Sequence, residues 1–364
     1  MIKHWVGLIL GLAMGWAGTA EALTPQDLGA KQGDIVFKDF RFGTGEILPQ
    51  LRMHYTTLGT PNRDAAGHVT NAVMILHGTG GDGQQFFRPQ FSDVLFAPGG
   101  LLDPAKMFII LPDGIGHGKS SKPSDGLRAR FPHYDYDDMV EAEYRLAKEG
   151  LKVDRLRLVM GTSMGCMHIF VLAESHPQYM DAAMPMACLP TALVGRNRLW
   201  RRMSIDAMQS DPDYRGGDYV VPPAGGLRLA QALSAIVGSA PLQMQQSLPT
   251  NAAAEAQAQA VIGEQWRGLD ANDYIYQLDA SRNYDPSPGL AKITTPMMWI
   301  NSADDFINPP ELGLAEGLAA AIKSARFVLI PASMATHGHG THTWAVVWQG
   351  YLRELLAGSG NGKG

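Results

Sequence analysis

The sequence predicts an α/β fold: a mostly parallel central sheet with helices on both faces, and one helical insertion. Three observations predict it. Short apolar runs at Ala72–Leu76, 107–111 and 156–160 each end in Gly-containing turn residues, the pattern of a strand buried on both faces. Between the second and third runs, residues 136–148 place Met139, Val140, Tyr144 and Ala147 at helical spacing. Strand–helix–strand alternation of this kind implies parallel pairing with covering helices. From about residue 191 to 285 the strand signals fade and Ala, Gln, Arg and Met recur between Gly and Pro punctuation, which reads as a helical insertion.

The elements follow in order. Residues 1–22 read as a signal peptide: Lys3 and His4 precede an apolar stretch from Trp5 to Ala17, and Ala20-Glu21-Ala22 has the form of a signal-peptidase site. The apolar run is shorter than the roughly 20 residues of a membrane-spanning helix, so cleavage before Leu23 is expected, with no stable membrane insertion and a periplasmic or secreted destination. The first part of the core is expected over 23–190. It opens with two strands, 34–42 and Ile47–Leu58, joined by a Gly-containing turn. The insertion, a helical lid, covers 191–285. The core resumes over 286–357, with strands at 297–300 and 326–330 and an amphipathic helix at 341–356. The Gly-rich tail, 358–364, is expected to be disordered.

Composition narrows the function. The chain has 364 residues, 45% of them hydrophobic, and a formal net charge of −5. That suffices for a large core, and no long basic run points to nucleic acid or an anionic membrane surface. Two cysteines, Cys166 and Cys188, do not make a disulfide framework. Both lie in apolar stretches and read as small buried hydrophobes.

The chemistry starts at Gly161-Thr162-Ser163-Met164-Gly165. This is G-x-S-x-G between a buried strand and a helical run, the nucleophile elbow of the α/β-hydrolase fold. Ser163 is the candidate nucleophile. Glycines two residues away on either side remove side chains that would clash with the sharp turn. His77-Gly78-Thr79-Gly80-Gly81 ends an upstream strand and reads as the oxyanion loop. Thr79 and Met164 would supply the two backbone N–H donors.

The acid and base must follow in that chain order. Asp304 and Asp305 both lie just past the 297–300 strand; Asp305, four residues before Pro309, is preferred as the acid, with Asp304 bracing the loop. His337-Gly338-His339-Gly340-Thr341-His342 precedes the last helix. His339 is the preferred base, with His337 and His342 as alternatives. The same three histidines have spacing that can hold metal. Thr341 stands where the metallo-β-lactamase motif has aspartate, and no further ligands stand out, so neither a metal nor a cofactor is expected.

With these residues in place, the chain resembles the homoserine O-acetyltransferase-like branch of the α/β-hydrolases, from about residue 34 to 356. Asp137-Asp138-Met139-Val140 matches that family ahead of the nucleophile, and Gly161 to Met167 is close to its G-G-S-M-G-G-M. Asp211-Pro212, Gly216-Gly217-Asp218-Tyr219, Pro223 and Gly226-Leu227 track its lid. The resemblance implies Ser163, Asp305 and His339 as a catalytic triad, with Thr79 and Met164 as oxyanion donors. This chain departs from the pattern at Thr162, at Cys166, and at Gln231, where the family tends to have arginine. Together with export away from cytoplasmic acetyl-CoA, the departures favour hydrolysis of a small-molecule ester over acyl transfer. An acyltransferase of the homoserine type and a non-catalytic binding protein remain the alternatives, and a homodimer is left open. Trp200, Tyr214, Tyr219, Trp266, Tyr274 and Tyr276 are candidate pocket aromatics.

Overall fold

A computed structural model describes residues 22–360. The expected signal sequence, apart from its last residue, and the last four residues lie outside the described residues. Eight strands form one sheet: β1 (Lys31–Arg41), β2 (Ile47–Leu58), β3 (Ala72–Leu76), β4 (Phe108–Pro112), β5 (Leu158–Thr162), β6 (Ala183–Met186), β7 (Met297–Ser302) and β8 (Ala325–Ile330), in the spatial order β1-β2-β4-β3-β5-β6-β7-β8. β1 pairs antiparallel with β2, and β2 antiparallel with β4; every later pairing is parallel.

The apolar runs form strands because both of their faces are covered. Along β3, Ala72, Met74 and Leu76 enter one core while Val73 and Ile75 enter the other. The period of two thus divides one continuous apolar run between two interiors. One interior is closed by α1 (Pro89–Leu95) and the C-terminal helix, through Phe91, Leu95, Trp348 and Leu352. The other is closed by α2 (Tyr136–Arg145) and α3 (Met164–Ser175), through Met139, Val140, Ile169 and Phe170. At the start of α2 the Asp135 side chain accepts from the Asp138 N–H, and the Asp138 carboxylate accepts from the Asp135 N–H (3.1 Å each). Asp138 also accepts from the Gly43 N–H (2.7 Å). The family-like Asp137-Asp138-Met139-Val140 is therefore a capped helix start tied to the first hairpin.

Between β6 and β7 the chain is helical: α4 (Gly195–Gln209), α5 (Ala224–Val237), α6 (Pro241–Ser247), α7 (Asn251–Ala260) and α8 (Ala271–Asp279). α9 (Ala315–Ala321) then packs beside β8, and α10 (Ala345–Gly360) ends the described chain. Among the described residues no helix is long and apolar enough to cross a membrane.

Three expectations are corrected. First, α10 runs to Gly360, so residues 358–360 are helical rather than tail. Arg157 donates to the Leu356 carbonyl (2.9 Å) and the Ser359 hydroxyl (2.8 Å), holding carbonyl-rich helix-end groups that the glycines alone would leave to water. Second, the helix expected over 136–148 is α-helical only to Arg145 and closes with a π-turn over Leu146–Gly150. Third, Cys166 and Cys188 are buried, as expected of small hydrophobes, but they form a disulfide. They are 22 residues apart in sequence. The parallel crossover from α3 to β6 brings the first turn of that helix against the carboxyl end of the next strand, with the two Cα atoms 5.9 Å apart.

Candidate active site

Ser163 stands between β5 and α3 with φ 54° and ψ −107°. That is a region a side-chain-bearing residue enters only when its surroundings force it. They do so from both sides: the Ser163 N–H donates to the Met186 carbonyl (2.9 Å), and the Gly165 N–H donates to the His77 carbonyl (3.0 Å). The glycines are steric requirements. A Cβ on Gly161 would lie 2.1 Å from the Gly165 carbonyl oxygen, and one on Gly165 would lie 2.3 Å from that of Leu76.

The structure brings the three preferred residues into one line. His339 Nε2 is 2.8 Å from Ser163 Oγ, and His339 Nδ1 is 2.9 Å from Asp305 Oδ2. Asp305 is 1% exposed. Its Oδ1 accepts from the backbone N–H groups of Ile307 (2.8 Å) and Asn308 (3.2 Å), and its Oδ2 accepts from the Asn308 side chain (3.2 Å). Burial pushes the Asp305 carboxyl up, but the facing His339 and these hydrogen bonds outweigh it and hold the group below the usual carboxylate value. An ionised, fully hydrogen-bonded carboxylate keeps the imidazole oriented with Nδ1 as donor and Nε2 free to accept from the serine.

Asp304 takes the bracing position. Its carboxylate accepts from the Ser302 hydroxyl, from Thr336 Oγ1 (2.8 Å) and from the Gly338 N–H (3.1 Å). The remaining two histidines turn to other neighbours. His337 stacks on Trp344 with centroids 3.8 Å apart. His342 is half-buried and edge-on to His339, centroids 5.4 Å apart, and desolvation, followed by the neighbouring His339, pushes its pKa down to about 3. Among the described residues no group of three or more His, Cys, Asp or Glu side chains could hold a metal ion.

The candidate oxyanion loop lies against Ser163: a Cβ on Gly78 would sit 3.4 Å from Ser163 Cβ. His77 supports the loop from beneath. Its Nε2 accepts from the Gly114 N–H (2.9 Å), so its Nδ1 carries the proton and donates to the Gly78 carbonyl (2.9 Å). Gln85 ties the loop to the elbow, donating to Thr162 Oγ1 (2.9 Å) while its Oε1 accepts from the Gly78 N–H (3.4 Å). The threonine that departs from the family glycine thus has a partner. Sequence reading missed Gln85 because an isolated glutamine carries no motif.

A cleft of about 570 Å³ opens over these groups, lined by Ser163, His339 and Thr79 and by residues of α4, α5 and α8. That is a volume suited to a small organic ligand. Of the six candidate aromatics, Trp200 and Tyr274 line it. Tyr214 and Tyr219 instead hydrogen-bond Asn272, and Tyr276 donates to the Phe131 carbonyl (2.6 Å). Trp266 donates to the Gly263 carbonyl (3.1 Å). Gln231 lies on the cleft wall, and so does Arg201, which the sequence did not single out.

Comparison with known proteins agrees with this architecture. Residues 71–334 match the model of the alpha/beta hydrolase fold family. A homoserine O-acetyltransferase of Pelobacter propionicus is 28% identical over 351 residues, covering 85% of this chain and 91% of that protein. Two solved structures are similar in fold. One is a homoserine O-acetyltransferase of Bacillus anthracis, with TM-score 0.79 and 20% identity over 90% of this chain and 97% of that one. The other is an acetylester hydrolase of Corynebacterium glutamicum, with TM-score 0.77 and 20% identity over 92% and 98%. The chain is therefore an enzyme-type member of the α/β-hydrolase family and resembles its homoserine O-acetyltransferase-like branch.

Proposed function

We propose that this chain is an exported serine hydrolase that cleaves a small-molecule carboxylic ester through an acyl-serine intermediate. The observation that carries the reading is the unbroken line Asp305–His339–Ser163 beneath the cleft. His339 takes the Ser163 proton as Oγ attacks the ester carbonyl, and Asp305 stabilises the imidazolium. The N–H groups of Thr79 and Met164 receive the tetrahedral oxyanion, and the helical insertion acts as the lid. His339 returns the proton to the leaving alcohol, then activates the water that releases the acid.

Two features support export. A buried disulfide suits an oxidising compartment. The Leu23 nitrogen lies 3.0 Å from Asp93 Oδ1, so an α-amine freed by cleavage before Leu23 would meet a carboxylate. Hydrolysis over transfer is supported by Gln231 on the cleft wall, in place of the arginine of the homoserine-acetylating pattern. The relatives named for homoserine O-acetylation favour the second reading, acyl transfer to an alcohol. The two separate on one experiment with purified mature protein: release of free acid from small esters, compared with O-acetylhomoserine formation from acetyl-CoA and homoserine. The expected result is ester hydrolysis independent of coenzyme A. Transfer to homoserine well above the rate of hydrolysis would reverse the assignment.

A further inference from the structure

The cleft wall carries a buried cation that has no ion-pair partner among the described residues. Arg201, on α4, is 2% exposed yet lines the same cleft as Ser163 and His339. Its Nε donates to Asn197 Oδ1 (3.1 Å), and its guanidinium carbon lies 4.9 Å from the centroid of the Trp200 ring. Its Nη1 is buried without a hydrogen-bond partner, and among the described residues no carboxylate lies within ion-pair distance of it. The Tyr136 phenol faces both Arg201 and Thr79 and can offer them its oxygen, but burial pushes its pKa up, so it offers no counter-charge.

A buried guanidinium left unpaired is costly, and unlike a lysine or histidine it cannot shed its proton to escape that cost. Two further donors on the cleft wall, Trp200 Nε1 and Thr79 Oγ1, are also buried without partners. The carboxylates that line the cleft bond to other donors, and none of them is an ion-pair partner of Arg201. Asp82 accepts from the Gln84 N–H (2.8 Å), Asp270 from the Asp273 N–H (3.0 Å), and Asp273 from Ser124 (2.7 and 2.8 Å). The orphaned groups are donors, and one is a cation with planar, forked geometry, the arrangement that recognises a carboxylate.

We propose that Arg201 anchors a carboxylate carried by the substrate, so that the enzyme acts on esters bearing one free carboxylate. The proposal rests on the hydrolase reading and names its substrate class. The anion can stand on either side of the scissile bond, and two assay arms distinguish them. Monomethyl succinate against methyl butyrate tests the acyl side; acetoxyacetate against ethyl acetate tests the alcohol side. The expected result is a higher kcat/KM for the anionic ester in at least one arm. Arg201→Met should lower that value roughly 30-fold, the scale of a lost charge-assisted hydrogen bond, while leaving the neutral ester within about threefold. Arg201→Lys, which keeps the charge but loses the fork, should fall between. Thermal melting of Arg201→Met at or above the wild-type temperature shows that the variant folds. No preference in either arm, or equal loss on anionic and neutral esters, would overturn the anchor. A binding measurement separates this failure from that of the hydrolase reading. Calorimetry of the same two anions on Ser163→Ala, with and without Arg201→Met, reads the anchor even if no ester is turned over. Binding insensitive to Arg201 would overturn it.

Discussion

At the residue scale the adjacent aspartates make the sharpest test. Asp305 is ionised, buried and bonded to His339 Nδ1, whereas Asp304 is spent on Ser302, Thr336 and Gly338. Asp305→Asn should leave the imidazole in the wrong tautomer and lower kcat by on the order of 10³–10⁴-fold. Asp304→Asn should cost less than about tenfold, since it only loosens the loop that presents His339. Ser163→Ala should abolish labelling by a fluorophosphonate. Steady-state kinetics on one ester checks the pair, and a larger loss from Asp304→Asn would reassign the acid. His342 makes a second prediction. Its pKa is about 6.5 when unfolded and about 3 when folded, so between these values the unfolded chain binds the extra proton. Its contribution to stability is therefore whole above pH 6.5 and erodes as pH falls towards 3, by at most about 1.4 kcal/mol per pH unit. His342→Phe should flatten the pH dependence of the urea midpoint in that window. An unchanged slope would show that other groups carry the acid sensitivity.

At the scale of elements, the nucleophile turn is held at several points. β5 delivers Ser163, Met186 at the end of β6 accepts its N–H, and the disulfide clamps the first turn of α3 to the segment after β6. Closing a loop of about 22 residues restricts the unfolded chain by about 3 kcal/mol. Replacing both cysteines with alanine should lower the unfolding free energy by about that much, with activity retained below the new melting point, because neither cysteine lines the cleft. Urea titration with and without a reductant checks it. Insensitivity of the wild type to reductant, once mass spectrometry shows the bond broken, would contradict the clamp. The insertion helices contribute differently: Arg201 and Gln231 reach the cleft from α4 and α5, while Ser163, Asp305 and His339 come from strand ends and loops, so on the proposed reading substrate choice and bond-making belong to separate elements.

At the scale of the whole molecule, the expected compartment and the fold meet at Leu23. If residues 1–22 are removed on export, N-terminal sequencing of the extracytoplasmic protein should begin at Leu23, and Asp93→Asn should lower the melting temperature of that protein slightly, by the loss of one exposed ion pair. Material carrying an intact Met1 outside the cytoplasm would refute cleavage.

What the sequence determined by itself was most of what is local or ordered along the chain. Buried parallel strands are legible because both of their faces are apolar, the elbow because its glycines answer to close backbone contacts, and the order Ser163, Asp305, His339 because loops at strand ends carry the chemistry. β6 was passed over as a strand because four residues are too few to show a period. What only the tertiary structure decided depends on distances between parts remote in sequence. It paired Cys166 with Cys188, gave Asp304 its three donors, and joined Gln85 to Thr162. It also placed Arg201 buried in the cleft with no carboxylate within ion-pair distance among the described residues. The physical reason is common to all of these. Periodicity reports which face of an element is dry, but pairing and charge balance are set by what another element places opposite, and a single sequence does not carry that juxtaposition in its local pattern.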